Sequence, residues 1–162
     1  MEGDEDVRSA VLQLLLETSM YTGDCFLDRL TESIAEYFTL DRVYLCELSM
    51  EVDRCHLVAA HGRSRTANPE AFHMAGPFDV VIDRGNLVQE MSVQEHFPAD
   101  IQLKALRAEA FIGTVLKAES DDPIGALFII HHEPLPEAQL IATVISHLAP
   151  RIGAELERQQ HE

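Results

Sequence analysis

The side chains through which this chain could do chemistry are two cysteines, a scatter of histidines and a set of phenylalanines. Cys46 and Cys55 flank a short polar segment, so on a hairpin with an even-length turn they share a face, opposite or diagonal to each other. Such a pair could exchange a disulfide, or be two small buried hydrophobes. Only Arg54 and His56 flank Cys55, too few cations to hold a thiolate reliably. Cys25 stands apart, and three scattered cysteines spell neither a disulfide framework nor a zinc site. Eight histidines invite a metal, but their spacing opposes it. His131 and His132 are neighbours on a predicted strand and point to opposite faces. His56 and His61 are an odd number apart and diverge for the same reason. No pair stands at i, i+4 on a helix, which leaves His73 and His96, in a stretch without clear period, as the two that could converge. Neither a Walker loop nor a dinucleotide-binding glycine fingerprint is present, and no nucleophile–base signature stands out.

The elements that must position these residues follow from periodicity. Val7, Ala10, Val11, Leu14 and Leu15 recur at helical spacing, with Leu12 and Leu16 widening the stripe beyond one packing partner. Gly23 predicts a stop and Asp24 the N-cap of a second helix carrying Phe26, Leu27, Leu30, Ile34, Tyr37 and Phe38. After Asp41 the composition turns to strand formers, and residues 42–48 and 55–60 predict a hairpin. From about Gly62 to Phe97 the pattern is irregular, with a short helix over 78–84 and a short strand over 87–90; a stretch this long in a small domain is often functional. A short helix over 99–107 precedes a second hairpin, 109–117 and 124–131, turning at Ser120-Asp121-Asp122-Pro123. A last helix begins after Pro136 and contains Pro150, which withholds an N–H from the carbonyl of Ser146 and predicts a kink. The sum is an α+β fold: a central antiparallel sheet of five or six strands, N- and C-terminal helices on one face, and an irregular crossing over the other.

A length of 162 residues suits one domain with a full core. No apolar run approaches the roughly 20 residues of a bilayer span, and the acidic start is unlike a signal peptide, so a cytosolic location is expected. Twelve basic against 28 acidic residues give a formal charge of −16, which repels phosphate backbones and anionic lipid; nucleic acid and membrane are not expected partners.

Four stretches resemble the GAF domain family, small-molecule-sensing modules of bacterial signalling proteins. They are DRVYLCELSMEVDRCHLVAAHG at 41–62, FHMAGPFDVVIDRG at 72–85, the run from EHFPAD through EAFIG and PIGAL at 95–135, and RIGAELER at 151–158. The resemblance covers 24–158, leaving 1–23 as an N-terminal helix and 159–162 as a polar helical end that could join a further domain. It implies a sheet with a ligand pocket under the irregular crossing, dimerisation through the terminal helices, and an output domain elsewhere. The cysteine of bilin-binding relatives has no counterpart in 92–110, and Cys55-His56-Leu57 falls on another strand. Gly76-Pro77-Phe78 stands where similar sequences have Gly-Thr-Pro-Cys, and the motif of cyclic-nucleotide-binding relatives is missing. Bilin and haem are therefore not expected, and no cofactor is required.

Three functions fit. The first is a regulatory, non-enzymatic sensory and dimerisation module for an unidentified small molecule, with pocket contacts at His61, Phe72, His73, Phe78, Phe97 and Phe111. The second is a structural relative whose pocket is plugged by its own Phe72, Met74, Phe78, Phe97 and Phe111. The third is a thiol redox catalyst using Cys46 and Cys55. An open cavity of a few hundred Å³ separates the first from the second.

Overall fold

A computed structural model describes residues 2–49, 53–64 and 67–160. Helices Glu2–Thr18 (α1) and Gly23–Phe38 (α2) open the chain, followed by the hairpin Arg42–Ser49 (β1) and Arg54–His61 (β2). The stretch read as irregular supplies a strand Ala71–His73 (β3), a helix Pro77–Arg84 (α3), a strand Asn86–Gln89 (β4) and a turn of helix Val93–His96 (α4). Then come Ile101–Ala105 (α5), the hairpin Ala110–Lys117 (β5) and Pro123–His131 (β6), and the long helix Ala138–Gln160 (α6), which runs through Pro150 as one element.

The strands form one six-stranded antiparallel sheet in the order β3-β2-β1-β6-β5-β4. Strand alternation sorts side chains onto its two faces. Val43 and Leu45 of β1, Ile112 and Leu116 of β5, and Leu127 and Ile129 of β6 meet α1, α2 and α6 in one buried cluster. Tyr44, Cys46, Phe111, Ala126, Phe128 and Ile130 face the other way, into a second cluster closed by Phe72, Phe78, Val81 and Leu103. Central strand β6 is buried on both faces, which is why its sequence is a continuous apolar run instead of an alternating one. The expected α+β sheet with terminal helices on one face and the crossing on the other is the observed architecture.

Two local details differ from expectation. Thr22, not Asp24, is the N-cap of α2, in extended backbone and without a side-chain capping bond. β2 carries a bulge: Leu45 pairs with Ala59 but Cys46 with Leu57, so Val58 is the extra residue. The bulge reverses parity within the strand. Cys55, Leu57 and Ala60 pack with the crossing, while Ala59 packs with the helices. Odd spacing therefore does not separate His56 from His61, and both point to the helix side of the sheet.

Candidate ligand site

Beneath the crossing, the aromatic residues form a stack instead of a chamber. The rings of Phe72 and Phe78 are stacked at 4.7 Å between centroids, and Phe128 meets both edge-on at 5.9 and 5.0 Å. Phe111 closes the group at 5.3 Å from Phe78. Edge-to-face and offset contacts are the favoured aromatic geometries, and all four side chains are fully buried. Phe97 is half-buried against this cluster. Gly113 lets α3 press onto the sheet, because a Cβ there would lie 2.3 Å from the Val81 side chain.

Open space remains at one end of the stack. A solvent-open cleft of about 350 Å³ is lined by Arg42, Asn68, Pro69, Phe72, Gln102 and Leu106, with Ala67 and Ala105. Arg42 leads β1 on the same side as Tyr44 and is only 6% exposed. Its Nη1 donates to Tyr44 Oη at 2.6 Å and to Asn68 Oδ1 at 3.2 Å, and Tyr44 Oη donates to Asn68 Oδ1 at 2.9 Å. Burial pushes the Tyr44 phenol up, against the pull of Arg42, so the hydroxyl stays a donor. Gln102 ties α5 to β3, accepting from the backbone N–H of His73 at 2.8 Å and donating to its carbonyl at 3.1 Å.

The residues singled out by sequence separate into two groups. Phe72, Phe78 and Phe111 share the stack, with Phe97 at its border, and Phe72 alone of the six also lines the cleft. His73 points away from Phe72, as neighbours in a strand must, into a shallow hollow with Arg54, His56 and Glu70. His61 lies across the sheet, its Nε2 2.8 Å from Asp28 Oδ1 and its Nδ1 3.8 Å from Glu32 Oε2 on α2. Sequence reasoning passed over Arg42, Tyr44 and Asn68. The signal was present: a period of two through Arg42, Tyr44 and Cys46 puts a cation on the face assigned to the pocket.

A polar junction anchors the sheet beside this cleft. Asp41, just before β1, accepts from the backbone N–H of His132 at 2.9 Å and from its ring, and Arg63 donates to it at 3.2 Å. The Asp41 N–H donates to Nδ1 of buried His131 at 3.1 Å, and Asp41 Oδ2 lies 3.4 Å from the same nitrogen. Burial pushes the Asp41 carboxyl up, but the His132 hydrogen bonds and the two imidazoles outweigh it and hold the group below the usual range. Burial lowers His131, and the bond to Asp41 raises His132. Arg63 N–H donates to Leu40 O and Ser64 N–H to Asp41 O, both at 3.0 Å, fastening the turn after β2 to the link between α2 and β1.

Cys46 and Cys55 are both fully buried in the crossing-side cluster, and Cys25 is exposed. Burial pushes the Cys46 thiol up, as does its hydrogen bond with Cys55. Among the described residues no group of three or more His, Cys, Asp or Glu is placed to hold a metal ion.

The GAF domain of a phosphoenolpyruvate-protein phosphotransferase (ptsP) from Coxiella burnetii superposes with a TM-score of 0.77 at 16% identity, over 97% of this chain and 96% of that one. The GAF domain of the Acinetobacter phosphoenolpyruvate-protein phosphotransferase gives 0.75 at 14% identity, over 96% and 95%. The chain has the GAF fold. The free methionine-R-sulfoxide reductase from Neisseria meningitidis, solved with its substrate, matches as well, at 0.76 and 14% identity over 96% and 90%. No protein-family model matches the chain, and no curated protein matches it in sequence. Its GAF fold therefore stands on shape, and its chemistry on the side chains described above. Among the described residues, no helix of this GAF-fold domain is long and apolar enough to cross a membrane.

Proposed function

We propose that this GAF-fold domain is a regulatory, non-enzymatic module that binds a small organic molecule in the Arg42 cleft and relays its occupancy to the terminal helices. One connection carries the reading. Asn68 in the cleft wall follows β2 in the chain, and Arg63 and Ser64, directly after β2, are hydrogen-bonded to Leu40 and Asp41, which join α2 to β1. A ligand that favours one position of the chain after β2 shifts the equilibrium of the helices by its difference in affinity between the two states.

The same reading assigns α1 to self-association. Leu12 and Leu16, four apart on α1, are 60% and 69% exposed, and Met20 in the turn after the helix is 90% exposed, an apolar patch outside the fold's own core. A second copy of the chain is the occupant we assign to it, with an output domain taking the signal and a charge of −16 keeping nucleic acid and membrane away. The burial of Cys46 and Cys55 supports a regulatory over a thiol-redox role. The cytosol is the compartment that fits two buried free thiols. The packed ring stack favours a second reading, a structural dimerisation domain without ligand.

Native mass spectrometry of protein purified from its own host tests both. A dimer carrying a small organic molecule is the expected result. A dimer with no adduct transfers the assignment to the structural reading, and a monomer at high concentration removes the self-association half.

A further inference from the structure

Asn68 marks the kind of ligand the cleft is built for. Its side-chain Oδ1 stands 3.2 Å from Arg42 Nη1 and 2.9 Å from Tyr44 Oη, accepting from both. The Asn68 side chain belongs to an exposed residue, whereas Arg42 and Tyr44 are 6% and 1% exposed. An exposed, neutral amide thus supplies one acceptor oxygen shared by a buried cation and a buried phenol. A carboxylate oxygen in the same position would accept the same two hydrogen bonds, and with a charge that makes them shorter and stronger.

The walls of the cleft set the rest of the molecule. Pro69, Phe72, Ala105 and Leu106 are apolar, and none of the eight described residues that line it is acidic, in a chain where carboxylates outnumber bases 28 to 12. A guanidinium is planar and matches a carboxylate in geometry, and apolar walls favour an organic body over a bare inorganic ion. Resting on the sensor reading above, we propose that the cleft recognises a small organic monocarboxylate. Its carboxylate takes the acceptor position between Arg42 and Tyr44 and turns the Asn68 amide out. The Asn68 side chain is the internal competitor for that position, and its release is the local event that reports occupancy.

The experiment is a calorimetric and ¹H–¹⁵N NMR titration of the full chain with four probes: benzoate, 4-methylpentanoate and the two corresponding neutral amides. The acids should shift the Asn68 side-chain amide resonances saturably, and the amides should not. Asn68→Ala, a change at an exposed side chain, should tighten acid binding by about fivefold or more, because the competing state is removed. Tyr44→Phe should weaken it and Arg42→Gln abolish it; should Arg42→Gln fail to fold, the opposite signs of Asn68→Ala and Tyr44→Phe carry the test. Acids and amides binding equally, Asn68→Ala weakening the acids, or no acid response at millimolar concentration each overturn the assignment. A neutral or basic molecule found in the cleft of protein from its own host would overturn the monocarboxylate while leaving the sensor reading intact. A ligand-free dimer from the host, with no acid response, removes both.

Discussion

Phe78 fills the middle of the space between the crossing and the sheet. Its ring touches Phe72, Phe111 and Phe128 and is fully buried. Phe78→Ala should cost about 3–5 kcal/mol in urea unfolding, because the ring's contacts are lost and the surrounding rings refill the space only in part. The variant should also open an apolar cavity that binds benzene, which the native chain should not. A cost below about 1 kcal/mol would mean that the stack is loose and the space already open. The cysteines give a second measurement at this scale. Cys25 is exposed while Cys46 and Cys55 are fully buried, so a thiol reagent should add once to the native protein and three times after denaturation. Rapid double or triple labelling under native conditions would contradict the sealed pair. Much at this scale was legible in sequence. Phe72, Phe78 and Phe111 were legible as bulky apolar side chains, but the turn of His73 away from Phe72 was not, because the three residues of β3 read as irregular chain. His61 was not legible, because the bulge at Val58 leaves no mark in the residue types around it.

Between elements, the junction at Asp41 decides how pH acts on the fold. The folded state holds Asp41 with a lowered pKa, so its contribution is present above the usual carboxylate range and lost as pH falls through the folded value. His131 is also lowered, here by burial: the unfolded chain binds its proton more readily, and stability drops as pH falls below about 6.5. His132 has the opposite sign. Its pKa is raised by Asp41, so its contribution is whole below that range and is lost as pH rises through the folded value. Asp41→Asn should lose about 1–3 kcal/mol at neutral pH and flatten the acid limb. His132→Gln should remove the decline on the alkaline side only. Urea midpoints from about pH 2.5 to about pH 8.5 check both, and parallel profiles for the native chain and the two variants would refute the assignment. Gly62 holds the same junction from the other side. Its φ is 145°, and a Cβ there would stand 2.0 Å from the Asp41 carbonyl oxygen. Gly62→Ala should therefore cost about 2 kcal/mol or more in the same assay, since backbone cannot yield as a flexible side chain can. The elements themselves were largely legible. Both hairpins, the terminal helices and α3 announce themselves by period, whereas β3 and α4, three and four residues long, are too short for any period to show. Asp24 illustrates a local preference that did not decide: Asp favours a cap, yet the chain turns into the helix from extended Thr22.

For the whole molecule, charge and the apolar patch at α1 pull in opposite directions. Two copies that pair through Leu12, Leu16 and Met20 bury apolar surface but bring together chains that each carry −16. Repulsion between such charges is long-ranged at low ionic strength, with a Debye length of about 30 Å at 0.01 M, and is cut to about 8 Å at 0.15 M. Apolar contact is not weakened by moderate salt. Self-association should therefore tighten as salt is raised, the reverse of a dimer held by ion pairs. Leu16→Glu, at a side chain 69% exposed in the single chain, should leave the unfolding midpoint of the monomer nearly unchanged. It should nevertheless raise the dimer dissociation constant at least tenfold, by adding a charge where apolar surface must be buried. Sedimentation equilibrium from low to physiological salt reads both effects. A dimer that weakens with salt, or one indifferent to Leu16→Glu, would place the interface on another surface. In that case the exposed patch at α1 would be left to the output domain, and the helices would transmit the state of the cleft along one chain instead of across two.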